Sequence, residues 1–563
     1  MKLRKLLLSG MALSALSLFA QTHTQGIEYY KADQFNNAKE LLTRNLNNAG
    51  TDKALSYYYL GQISMRNGNT SEAEKYFTDG INANPENPYN YIGLGYIDLK
   101  KDDVKAAEKY FKEAESKAKK DQSVMVEIAR AYYNTNPVKY KDQYEKRIQN
   151  ALKKDVNNPD VYILQGDILR DEAYATGDTR AYGSAAGKYD MATSKDPTSA
   201  VAYVKYADMY MNANNPGYAI VKLEELINNN ASSALGQREL ANAYYENNQF
   251  DKAATQYGKY IKNPNHFKED EDRYAFILFY DGKYQDAYNY VTGLLKENPG
   301  NFSALRYQFM NAAQLESMQN QLLPMAENLL AAHKANPENK LAPIDYNLVS
   351  DELAKGGKVE DAIALLEEGI KDQPNNANFN KWLAGVYINA EDYGKAADAY
   401  SGFLSKTPNP SYSDLAQQAL YAYFGGLQNA EDVIDKTTGE VIRPQDLTAA
   451  NRYYQMTQEF AEKAAAANPS QYKPHKILGD VAVATAEGNL KASAAVPEYT
   501  TAIELLEANP DPRYNNDAKT MYAYLAAYYL ENGDNNNARV NIDKAIAIDP
   551  NNVNYQKISE AIK

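Results

Sequence analysis

The chain has 563 residues, 73 of them Asp or Glu and 60 Lys or Arg, which leaves a net charge of −13 at pH 7, and it contains no cysteine. Without thiols there is no disulfide, no thiol catalysis, no cysteine metal site and no lipid-bearing cysteine at a processed N-terminus. The negative balance repels phosphate backbones and no long basic stripe reverses it locally, so nucleic acid is not an expected ligand.

In chain order the first element is an export signature. MKLRK is basic, residues 6–20 (LLLSGMALSALSLFA) are apolar or small, and Ala20 stands before Gln21. The apolar run is shorter than the roughly 20 residues that span a bilayer, which favours a signal peptide over residues 1–20 against a membrane helix. Leu18 is larger than the residue usual three positions before a cut, so the cleavage point is less defined than the signal.

From there on, pairs of helices repeat. The second helix of a pair shows Ala73, Phe77, Gly80 and Ile81, and far downstream Ala538, Ile542, Ala545 and Ile546, spaced so that they share one helical face. Asn or Asp followed by Pro ends it, because Pro lacks an N–H and steers its predecessor out of helical geometry. The endings at Pro264, Pro299, Pro337, Pro374 and Pro408 recur about every 34 to 38 residues. The first helix of a pair carries a large apolar residue directly before a small one, as in Leu60-Gly61, Leu94-Gly95, Tyr206-Ala207, Leu240-Ala241, Leu383-Ala384, Leu478-Gly479 and Leu525-Ala526. With 49 Tyr against 14 Phe and one Trp, tyrosine fills most of the aromatic packing slots.

This order of large, small, aromatic, then Ala, aromatic, small and Pro resembles the tetratricopeptide repeat (TPR), over roughly residues 25 to 563. The resemblance implies an all-α fold: a right-handed α-solenoid of about fourteen tetratricopeptide helix-turn-helix repeats, with the first and fourth least regular. We divide the chain into a signal peptide (1–20), N-terminal repeats (21–157), central repeats (158–408), C-terminal repeats with insertions (409–550) and a capping helix (551–563). The insertions are residues 172–183, 431–446 and 485–497, expected as loops on one face. In the longest, Val433-Ile434 and Val441-Ile442 flank a polar connector and predict a β-hairpin.

The family's concave surface is lined by first-helix positions outside the packing slots, which here are Tyr58, Gln62, Tyr89, Tyr96, Arg130, Tyr133, Arg238, Asn242, Tyr245, Phe276, Phe279 and Tyr280. Aromatic side chains interleaved with Arg and Asn suit recognition of a peptide or protein partner. Arg238 and Asn242 match one unit of the clamp with which some family members hold C-terminal carboxylates, but Phe276 stands at the next unit's Asn position, so the clamp is incomplete. Residues 268–272 (KEDED) open a first helix, where negative charge complements the helix dipole.

Catalytic constellations are missing from the sequence. His475 occupies a slot held elsewhere by Tyr57, Tyr91, Tyr203 and Tyr522, and His333 one held by Ile81, Ile227, Ile370 and Ile546; both read as packing substitutions. His266 lies in a loop, His23 near the mature N-terminus, and no pair has metal-ligand spacing. The expectation is a non-enzymatic periplasmic scaffold without cofactor or metal, binding peptide segments or protein partners in an envelope assembly, with no membrane insertion of the mature chain. A glycan- or peptidoglycan-binding envelope protein is the alternative, a hydrolase the weakest reading, and secretion beyond the periplasm stays open.

Overall fold

The computed structural model describes residues 22–434, 437–438, 440–486 and 494–562; the expected signal peptide lies outside them. Among the described residues the helices pair into fourteen hairpins, from His23–Lys31 with Phe35–Asn45 to Asn515–Glu531 with Asn535–Ile548, and Val553–Ala561 follows the last. They fall into two compact units, Met1–Val291 and Thr292–Lys563, with the division inside the helix Tyr284–Glu297, within the central repeats.

The second hairpin shows why these residues pair. Asp52 caps its first helix (Lys53–Arg66) by accepting from the Leu55 N–H, and Asn69 caps its second (Thr70–Ala83) by accepting from the Glu72 N–H. Between them Gly68 takes φ +76°, the left-handed corner that lets the chain reverse in three residues. Asp33 and Asp102 hold the same corner in their hairpins, at φ 61° and 63°. Phe77, fully buried, then sits between Gly61 of its own hairpin and Gly93 of the next; a Cβ on either glycine would lie 2.3 Å from its ring. Gly95 faces Phe111, Gly166 faces Tyr189 and Gly479 faces Tyr499 in the same manner. The large-before-small rule is thus a space rule: the small residue is the socket for the next helix's ring.

Two insertions have defined structures. In the second, the two expected hairpin strands form, as Val433–Ile434 pairs antiparallel with Val441–Arg443 between the long helices Tyr412–Ala430 and Leu447–Ala467. Residues 172–183 are not the loop expected of them. They lengthen both helices of the fifth hairpin, Pro159–Thr176 and Thr179–Lys195, leaving only Gly177 (φ +70°) and the cap Asp178 between. Ala173 and Ala181 continue the apolar stripe and are buried, so extending the helices covers apolar surface that a loop would leave exposed. Of the third insertion, residues 487–493 lie outside the described ones.

Candidate binding faces

The inner face of the first unit is built by first helices, and the opening hairpin reaches into it. Tyr29, 1% exposed, packs edge-on against Phe267 with ring centroids 5.1 Å apart. The Lys31 ammonium lies 2.9 Å from Asp160. The Asp33 carboxylate, at the corner of the hairpin, accepts from Arg170 at 3.1 Å and from Lys205 at 2.7 Å. Gln34 donates to Glu239 at 2.8 Å and accepts from Arg238 at 3.0 Å. Residues 29–34 therefore contact first helices, or the segment just before one, from the fifth to the eighth hairpin.

At the centre of this face lies Asp167, buried, with Arg130 at 2.9 Å and Lys205 at 3.1 Å. Burial opposes its ionisation, but Lys205, Arg130 and Arg170 together outweigh that and hold its carboxyl well below the usual range. Two other carboxyls of this unit respond the other way. Burial pushes Glu28 up to about 7, and burial with the adjacent Glu239 pushes Asp208 up to about 7.

The twelve expected face residues divide into three groups. Gln62, Tyr96, Arg130 and Tyr133 line one cavity of about 330 Å³, closed on the other side by Tyr30, Lys31, Asp33 and Phe35. Tyr245, Phe276 and Tyr280 form an aromatic cluster with Phe250, in which the Phe276 and Tyr280 centroids are 4.5 Å apart; Phe279 packs on Tyr280 at 5.8 Å. The rest have internal partners. Tyr58 is 1% exposed and donates to Glu127 at 3.0 Å, Tyr89 donates to Asp121 at 2.7 Å, and Asn242 accepts from Arg273 at 3.1 Å. Arg238 donates from Nε to Asp270 at 2.7 Å, which gives the KEDED segment a role beyond its helix dipole: Asp270 is a buried ion-pair partner. The histidines likewise have carboxylate neighbours, His475 with Glu498 at 2.8 Å and His333 with Glu368 at 2.7 Å.

The second unit holds a groove that the sequence reading missed. First helices of the twelfth to fourteenth hairpins, with the residues just before them, enclose about 680 Å³ lined by Tyr412, Leu420, Tyr423, Phe424, Leu427, Ile477 and Tyr514, with Gln417, Gln471, Lys473, Lys476 and Asp480 among its polar groups. Phe424 and Leu427 are each 39% exposed although apolar. The first-helix rule that picked out Tyr58 and Tyr96 applies equally to Tyr412–Ala430; the neighbouring insertion obscured the register.

A helix-hairpin solenoid with side-chain-lined inner faces is a scaffold architecture, and the repeat type has a sequence signature. Family models of the tetratricopeptide repeat match residues 60–123 and 350–411, and another of the same description matches 239–266. The chain therefore carries tetratricopeptide repeats in both of its units. Among solved structures it is similar to the C-terminal part of a TPR repeat-containing protein from Cytophaga hutchinsonii, at 17% identity over 52% of this chain and 99% of that one, TM-score 0.39. It is similar also to YrrB, described as a TPR protein with an unusual peptide-binding site, at 15% identity over 42% of this chain and 99% of that one, TM-score 0.28. A thermophilic TPR protein of Thermus thermophilus matches at 18% identity over 39% of this chain and 98% of its own, TM-score 0.22. No curated protein matches the chain.

Proposed function

We propose that this is a non-enzymatic scaffold of the bacterial envelope, exported to the periplasm, whose second unit holds a peptide segment of a protein partner in the groove of its last three hairpins. The observation that carries this reading is the groove itself, a concave apolar surface with two half-exposed apolar side chains, Phe424 and Leu427, ringed by polar groups. Apolar anchors with a polar rim suit a segment that presents spaced apolar side chains. Export rests on the order of basic, apolar and small residues at positions 1–20. No helix among the described residues is long and apolar enough to cross a membrane.

Selection of a displayed peptide library on the full mature chain should enrich segments with spaced aliphatic or aromatic residues, and the variant Phe424→Ala/Leu427→Asp should lose that enrichment. Equal enrichment on the variant would reject the groove. Retention on polysaccharide or peptidoglycan beads that depends on Tyr412, Tyr423 and Tyr514 would move the ligand to the glycan class. Mass spectrometry of the chain recovered from a periplasmic extract should find an N-terminus at or near Gln21; an intact Met1 there would defeat export by cleavage.

A further inference from the structure

We propose that the cavity in the first unit is a separate site, for a small organic anion whose carboxylate or phosphate is held by Arg66 and Lys100. The cavity is lined by five cationic side chains against four carboxylates, a locally positive lining in a chain of net charge −13. Three of the cations have internal carboxylate partners: Lys31 with Asp160 at 2.9 Å, Arg130 with Asp167 at 2.9 Å, and Arg170 with Asp171 at 2.9 Å. Arg66 and Lys100 have none among the described residues.

Both stand in the last turn of a first helix, in the adjacent second and third hairpins, where the helix dipole favours a cation. The dipole accounts for a positive residue there but leaves its N–H groups unfilled, and neighbours fix where they sit. The Arg66 guanidinium lies over the Phe35 ring, 4.1 Å from its centroid. A guanidinium stacked on a ring keeps its in-plane donors for an oxyanion. Lys100 donates to the Asn134 carbonyl at 3.0 Å and lies 5.5 Å from the centre of the Tyr96 ring. An ammonium has three donors, so that bond leaves others available. At about 330 Å³ the cavity is at the lower end of the roughly 300–1,000 Å³ typical of small-molecule sites. Its far wall is the chain's own opening hairpin, which favours a compact ligand over a passing polypeptide. This site shares no residue with the groove of the second unit, so either can fail without the other.

Isothermal titration of the full mature chain at low salt with succinate, with glycerol 3-phosphate and with pentaglutamate tests the assignment. Succinate or glycerol 3-phosphate should bind, which of the two deciding the headgroup. Arg66→Gln/Lys100→Gln should weaken that binding at least tenfold, and Lys75→Gln, an exposed cation outside the cavity, should not. Both arginine and lysine side chains are exposed, and an unchanged thermal transition confirms that the variant folds; if it does not, Arg66→Gln and Lys100→Gln are read singly. Binding of neither small anion, binding undiminished in the variants, or binding of pentaglutamate alone would overturn the proposal.

Discussion

A fully buried phenylalanine held between two glycines makes the residue-scale logic testable with opposite signs. Gly61→Ala adds one methyl 2.3 Å from the Phe77 ring, and the ring cannot retreat because Gly93 bounds its other side. Alanine raises helix propensity by about 1 kcal/mol, but overpacking costs about 1–3 kcal/mol, so Gly61→Ala should destabilise the first unit on balance. Gly187→Ala, inside the helix Thr179–Lys195 with nothing within 4 Å, should stabilise by about 0.5–1 kcal/mol. Chemical denaturation of both variants checks this; the same sign in both would contradict the socket reading. Ala73, Phe77 and Gly80 were legible in the sequence because their spacing repeats. The pairing of His475 with Glu498 was not: His475 was visible as a departure from its slot, but only the packing of the two helices puts Glu498 against it.

Among elements, what could be read depended on composition. Val433, Ile434, Val441 and Ile442 are β-branched around a turn, and a hairpin forms there. Residues 172–183 read as an insertion because they break the period, yet their alanines continue a helical stripe, and the period alone could not say whether extra residues bulge or lengthen. The four hairpin side chains are 40–67% exposed, while its base is tied by Arg443 donating to the Gln428 carbonyl at 2.7 Å and by the Asp446 N–H to Asn429 at 2.8 Å. Replacing residues 433–442 with a Gly/Ser connector keeps those ties. Circular dichroism should show unchanged helix content, and the unfolding free energy should change by no more than about 0.5 kcal/mol, as for surface changes elsewhere. A broadened transition would show that the hairpin holds its two long helices together.

On the scale of the whole molecule, the repeat fold was legible because each hairpin contacts its neighbours, which writes a local period into the chain. The bonds of Asp33 and Gln34 were not, since a corner residue and a polar neighbour carry no mark of partners 137 to 205 residues away. In the same unit burial pushes Glu28 up to about 7, and burial with Glu239 pushes Asp208 up to about 7, against ordinary values of 4.5 and 3.8. Between those limits the folded chain binds more protons than the unfolded one, so their contribution favours folding at the acid end and is lost as pH rises through about 7. Asp160 and Asp167 have lowered values and act oppositely, withdrawing stability only below the ordinary carboxylate range. The first unit should therefore melt higher at pH 5.5 than at pH 8, and Glu28→Gln/Asp208→Asn should flatten that difference; a slope unchanged in the variant would assign it to other groups. The same reach across the face alters how the first unit can come apart. A repeat array ordinarily frays from its ends, each terminal hairpin leaving at the loss of one interface. Here the opening hairpin is fastened to partners as far along as the eighth, so its departure breaks contacts throughout the unit, and what would be a row of loosely coupled modules gains the all-or-none character of a globular domain.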